Sequence, residues 1–117
     1  YVEAIKIYKE LLAVPELNEY PETKARITDN LGYALFKNGD TMGGELMEKA
    51  LAQRLQLEDI NGQFASNIHL ADFNMDTDKP KALTHADKAM QIALKTKSPD
   101  WQLEALQYII MLKKNPQ

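Results

Sequence analysis

The chain has 117 residues and a mass of 13.3 kDa, the size of a single domain. Its 44% hydrophobic and 26% charged residues are typical of globular proteins, and no apolar run approaches the ~20 residues of a membrane span, so no membrane partner is expected for this segment. A net charge of −3 without any basic cluster argues against nucleic-acid binding by this segment. Since cysteine is absent, disulfides, thiol nucleophiles and Cys-ligated zinc are excluded, whereas cytoplasm and periplasm are both compatible.

Apolar residues recur at helical spacing almost throughout, without the alternation of a half-buried strand, which predicts an all-α fold. The predicted helices are 1–14, 23–38, 42–57, 60–75, 80–96 and 100–113. Proline and glycine mark the connections: Pro15 and Pro21 bracket the first, and Gly39 follows the second helix. Because the connections are short, consecutive helices are expected to lie antiparallel.

The sequence repeats when it is shifted by 39 residues. This shift superposes Leu31-Gly32 on Leu70-Ala71, and Glu48-Lys49-Ala50-Leu51 on Asp87-Lys88-Ala89-Met90. A fixed period of this length indicates stacked helix pairs, and the alternative is a six-helix bundle with accidental periodicity. The residues expected to pack helix against helix are Ala4, Tyr8, Leu31, Gly32, Gly43, Ala50, Leu70, Ala71, Ala82, Ala86 and Ala89.

A unit with Leu-Gly in its first helix, a Gly-Asp turn and Glu-Lys-Ala-Leu in its second resembles the tetratricopeptide repeat (TPR). The residues that carry this resemblance are Asn30 to Leu35, Gly39-Asp40 and Glu48 to Leu51. The period exceeds the ~34 residues common in that family, and units of this length are similar to those of bacterial regulators and sensor kinases. The resemblance implies a right-handed superhelix of helix pairs in a single array. Its parts would be a second helix of a truncated repeat (1–21), two repeats (22–60 and 61–99) and the first helix of a following repeat (100–117).

In such arrays the first helices line a concave face that binds a protein or peptide segment. Carried over to this chain, the resemblance implies the following groove candidates: Arg26, Asp29, Asn30, Tyr33, Lys37, Ile68, His69, Asp72 and Tyr108. Tyrosine and arginine are common at recognition surfaces, although a solvated helix face is the alternative interpretation. A co-chaperone role is disfavoured, because the family's carboxylate clamp has lysine where this chain has Asp29, and an acidic trough would repel a carboxylate.

No phosphate loop, nucleophile elbow or paired catalytic carboxylates occur, so no enzymatic activity and no cofactor are expected. His69 and Asp72 share a helical face, but a metal ion usually needs three or four ligands. Asp72, Asn74 and Asp76 resemble the start of a calcium loop whose later glycine and glutamate are missing, so no metal site is expected. His85 is expected to flank the packed face of its helix.

The resulting interpretation is a module for protein–protein interaction that forms the sensing or scaffolding part of a larger bacterial regulatory protein, a transcriptional regulator or sensor kinase. The alternative is a structural element that self-associates into a homo-oligomer through the apolar open ends of the array.

Overall fold

The computed structural model describes residues 1–114, and every regular element in that range is helical. The α-helices are α1 (Val2–Leu12), α2 (Pro21–Lys37), α3 (Gly43–Gln56), α4 (Ile60–Asn74), α5 (Lys79–Lys95) and α6 (Pro99–Lys114). The all-α prediction is confirmed, and the predicted helix ends differ by at most two residues. The connection after α1 contains a 3₁₀ helix over Pro15–Glu19, because proline fixes the backbone angle that a first helical position needs. Residues 115–117, the last three of the predicted segment 100–117, lie outside the described range.

Two helices begin with equivalent side-chain caps. The Asp59 carboxylate accepts a hydrogen bond from the Gly62 N–H at 2.9 Å at the start of α4. The Ser98 hydroxyl accepts one from the Trp101 N–H at 3.3 Å at the start of α6. Each cap supplies a partner to an N–H that the helix leaves unpaired, and the two caps are one 39-residue period apart.

The ends of α3 and α5 repeat with the same period. Glu58 and Lys97, just after these helices, both have φ of 56°, in the left-handed region. The following residues, Asp59 and Ser98, each donate their N–H to the carbonyl five residues back, at 3.0 Å in both cases. Such bonds pair carbonyls that the last helical turn leaves open. The period found in the sequence is therefore also a period of the local backbone.

The structure divides into two units, and the first is Tyr1–Gly62. In this unit α2 packs against both α1 and α3. The backbones of α2 and α3 are closest at Gly32 and Gly43: a Cβ on Gly32 would lie 2.7 Å from the Gly43 carbonyl oxygen and 2.8 Å from Cγ of Met47. Glycine is required here because the two helices leave no room for a side chain.

The second unit begins at Gln63 and contains most of α4 together with α5 and α6. Ala71 and Ala82, one period after Gly32 and Gly43, are fully buried in a single cluster with Ala86 and Leu112. A second cluster contains Phe64, whose ring stacks on that of Trp101 with centroids 4.3 Å apart. Small residues thus occupy the same positions of the α4–α5 pair as of the α2–α3 pair.

Burial of the expected packing residues changes along the chain. All of those between Leu31 and Ala89 are buried. On α1, in contrast, Ala4 and Tyr8 are half-buried, and the helix has no buried residue at all. This helix therefore presents a face that its counterparts α3 and α5 keep covered.

Candidate functional site

Four of the candidate groove residues form one face of α2. Arg26, Asn30, Tyr33 and Lys37 are spaced by four, three and four positions, which aligns their side chains along the helix. Arg26 and Lys37 are exposed, whereas Asn30 and Tyr33 are half-buried. The first unit therefore presents a polar stripe with a positive charge at each end.

Aromatic rings and a cation are organised at the C-terminal end of this stripe. The Tyr33 and Phe36 rings lie edge to face, with centroids 6.0 Å apart. The Lys37 ammonium lies 5.3 Å from the Tyr33 centroid and 5.0 Å from the Phe36 centroid. At these distances the ring faces attract the cation. The cluster offers an incoming ligand both apolar area and a positive charge.

Asp29 does not belong to this surface, which corrects the expectation that it lines the groove. Its carboxylate is fully buried, and Oδ2 lies 3.4 Å from Nη1 of Arg54, whose side chain is also buried. The same Arg54 nitrogen donates a hydrogen bond to the Gly62 carbonyl at 3.0 Å. Because the Asp29 charge is held inside the unit, the exposed stripe is positive rather than acidic.

In the second unit the candidates on α4 divide in the same way. Ile68 is 5% exposed and belongs to the core cluster with Phe64 and Ala105, so it does not line a groove as expected. His69 and Asp72 are half-buried and lie one turn apart on α4. Of the groove candidates on α4, the imidazole of His69 and the carboxylate of Asp72 are therefore the groups that remain accessible.

Tyr108 of α6 is half-buried and packs against both core clusters of the second unit. Its outer edge lines an open pocket of about 440 Å³. The other residues that line this pocket are Glu104, Gln107, Ile110 and Met111. The pocket is large enough for one or two side chains of a ligand and combines an aromatic ring, an acid and apolar groups.

Steps of 39 residues relate these positions to one another. They carry Asn30 to His69 and Tyr108, and Tyr33 to Asp72 and Met111. All six side chains are half-buried or exposed. Each of α2, α4 and α6 therefore exposes the same pair of positions, with different chemistry at each step.

Sequence reasoning missed the buried polar pair that joins α4 to α5. Nδ1 of His85 lies 2.9 Å from Oδ1 of Asn67, and both residues are buried. Since the Asn67 amide nitrogen donates to the Gln63 carbonyl at 2.8 Å, its oxygen is the acceptor and His85 donates from Nδ1. His85 therefore lies within the packed interface rather than beside it.

The segment from Asp72 to Asp76, which resembles the start of a calcium loop, includes a side chain that bonds to its own helix. Asn74 is buried, and its amide nitrogen donates to the Leu70 carbonyl at 2.8 Å, so the side chain turns back along α4. Within residues 1–114 no three His, Asp or Glu side chains are grouped closely enough to hold a metal ion.

No helix within residues 1–114 is long and apolar enough to cross a membrane. Comparison with known proteins found no family model, curated protein or solved structure that matches this chain.

Proposed function

We propose that the chain is a TPR-like array of helix pairs that binds a segment of another protein. The observation that carries this proposal is that equivalent positions of α2, α4 and α6 are accessible and, apart from Met111, carry polar or aromatic side chains. The opposite faces of α2 and α4 are used for packing, at Gly32 and Ala71. Accessible positions that recur in each helix pair and carry different side chains are suited to reading an extended ligand.

The charges suggest which segments would bind. Arg26 and Lys37 are the charged residues at the two ends of the α2 stripe, and the carboxylate of Asp29 is withdrawn from it. The Tyr33 ring adds rigid contact area of the kind that dominates binding energy at interfaces. We propose that the α2 stripe prefers an acidic segment that contains an apolar side chain.

This binding role fits the sensing or scaffolding part of a larger bacterial regulatory protein, in which capture of a partner controls another activity. It requires no cofactor and no catalytic group of the chain's own. The proposal therefore predicts reversible association with a protein or peptide as the measurable property.

The experiment selects peptides from a random library displayed on phage, using the immobilised chain, and measures the affinity of the selected peptides by fluorescence anisotropy. The test variant is Tyr33→Ala with His69→Ala. The control, Lys49→Ala with Lys88→Ala, changes exposed residues of α3 and α5 outside the stripes. Circular dichroism checks that both variants keep their helicity and melting temperature.

We expect at least a tenfold loss of affinity in the test variant and none in the control, with acidic residues enriched among the selected peptides. Equal affinity of the test variant and the unmodified chain would contradict the assignment of the stripes. Failure to select any peptide above background would contradict the binding role itself.

A further inference from the structure

One face of α6 is apolar and exposed where the matching faces of α2 and α4 are buried. Leu103, Leu106 and Ile110 are 58%, 42% and 48% exposed, and their spacing places them on one side of the helix. One period earlier, the equivalent residues of α4 are at most 4% exposed: Phe64, Asn67 and Ala71. Two periods earlier, the equivalent residues of α2 are also buried: Ala25, Thr28 and Gly32.

Within the second unit α5 contributes to the cover of this face of α4, and Trp101 of α6, which stacks on Phe64, contributes as well. Ala71 shares a cluster with Ala82, and Phe64 shares the other cluster with Ala89. Between these layers the Asn67 side chain accepts the hydrogen bond from His85. Residue numbers rise along α5 as they fall along α4, so the two helices run antiparallel.

Helix α1 carries the residues that would provide the same cover on α6. A shift of two periods, 78 residues, relates three residues of α1 to three of α5. It carries Ala4 to Ala82, Ile7 to His85 and Leu11 to Ala89. On α1, however, Ile7 is 48% exposed, Leu11 is 41% exposed and Ala4 is only half-buried. The chain therefore exposes both halves of a helix pair whose counterparts are buried elsewhere.

We infer that α1 of a second copy of this chain packs antiparallel on α6. The equivalences set the register: Ala4 lies level with Ile110, Ile7 with Leu106, and Leu11 with Leu103. In the middle layer two aliphatic side chains replace the hydrogen-bonded His85 and Asn67. Burial of these apolar side chains drives the association.

The charges of the two helices agree with this direction. α6 begins with Asp100 and Glu104 and ends with Lys113 and Lys114. An antiparallel α1 brings Glu3 to the lysine end. Lys9 and Glu10 both lie level with the turn that contains Glu104 and act on it with opposite signs, so the preference for this direction comes from Glu3. A parallel arrangement would instead place Glu3 beside the acidic start of α6, and like charges disfavour that alternative.

The two surfaces are different, so the contact is heterologous, and an open assembly of copies keeps one α1 and one α6 available at its two ends. This self-association goes beyond the proposed peptide binding, because it uses none of the residues in the α2 stripe. The double variant of Tyr33 and His69 should therefore associate like the unmodified chain.

The first test is analytical ultracentrifugation over a concentration series. We expect the unmodified chain to sediment faster as its concentration rises, while Leu106→Glu and Ile7→Glu each sediment as monomers. When the two variants are mixed, we expect a one-to-one complex and nothing larger, because Leu106→Glu keeps a working α1 and Ile7→Glu a working α6. The control Leu94→Glu changes a leucine of α5 that is more exposed than Leu106, and it should associate like the unmodified chain.

A second measurement does not depend on charged substitutions. The chain has no cysteine, so Ile7→Cys in one copy and Leu106→Cys in another introduce the only thiols. We expect a disulfide-linked dimer from this mixture under mild oxidation, and at least tenfold less from Ile7→Cys mixed with Leu94→Cys. A chain that stays monomeric at millimolar concentration would overturn the inference. So would self-association of either charged variant alone, or equal cross-linking in the two mixtures.

Discussion

The guanidinium of Arg54 lies 3.4 Å from the carboxylate of Asp29, and the two side chains are 5% and 0% exposed. This pair joins α3 to α2, and the hydrogen bond from Arg54 to the Gly62 carbonyl extends it to the start of α4. Removing two charges from water is costly, so the pair contributes less to net stability than its geometry suggests. Its main effect is that neither partner can be lost without leaving a buried charge.

We therefore predict strong coupling between these two residues. Asp29→Asn and Arg54→Met should each lower the free energy of unfolding by about 3–5 kcal/mol, because each leaves the other charge buried without its counterion. The double variant should lose clearly less than the sum of the two. Urea denaturation of the four proteins in a double-mutant cycle measures this coupling, and additive losses would show that the charges do not depend on each other.

A second prediction concerns the close approach of α2 and α3 at Gly43. In an exposed helix, glycine to alanine stabilises by about 1 kcal/mol. At Gly43 we expect the opposite sign, a loss of about 1–3 kcal/mol, because the added methyl group would overlap the Gly32 carbonyl oxygen and lie 2.8 Å from the Phe36 backbone nitrogen. Thermal unfolding followed by circular dichroism distinguishes the two signs. The exposed Lys49→Ala on the same helix serves as the control and should shift the midpoint little.

The α4–α5 pair gives a third prediction. Asn67→Leu removes the acceptor of the buried His85 N–H and should cost about 1–3 kcal/mol. Adding His85→Ile should recover most of this loss, because Leu106 and Ile7 are the aliphatic residues at the equivalent positions of α6 and α1. Chemical denaturation of the single and double variants provides the comparison. A double variant less stable than Asn67→Leu alone would contradict the equivalence.

The fourth prediction concerns the turns after α3 and α5. Glu58 and Lys97 both adopt φ of 56°, which strains a residue with a Cβ and is free of strain for glycine. Glu58→Gly and Lys97→Gly should each raise the free energy of unfolding by a few tenths to about 1 kcal/mol. The control Lys88→Gly, at an exposed position in the middle of α5, should lower it by about 1 kcal/mol. Glycine that destabilises at all three positions would argue against the left-handed conformation.

The sequence predicts the helices well because their signals are local. Apolar spacing, proline at helix starts and the cap at Ser98 act within a few residues of where they stand. The 39-residue shift also pairs Gly32 with Ala71 and Gly43 with Ala82, which occupy matching interfaces in the two units. Periodicity of residue size was sufficient to find these positions.

Asp29 and Ile68, which the resemblance to the TPR places in the groove, are buried instead. Asp29 follows Ala25 by four positions and precedes Gly32 by three, which puts it on the packing face of α2. Arg54 follows Met47 by seven positions on the packed face of α3. Two opposite charges on facing apolar stripes indicate a buried pair, and this signal was available. The partner of each charge, in contrast, depends on tertiary packing that spacing alone does not give.

The matching turns at Glu58 and Lys97 also bear on how such a chain could grow. The segment 59–97 starts at a helix cap, Asp59, and ends on a left-handed residue, Lys97. If this segment were duplicated in tandem, the second Asp59 would follow Lys97 and take the capping position that Ser98 holds now. Every junction would then keep a backbone conformation already present in the chain. Gene duplication in whole periods would therefore lengthen the protein without requiring a new type of helix junction.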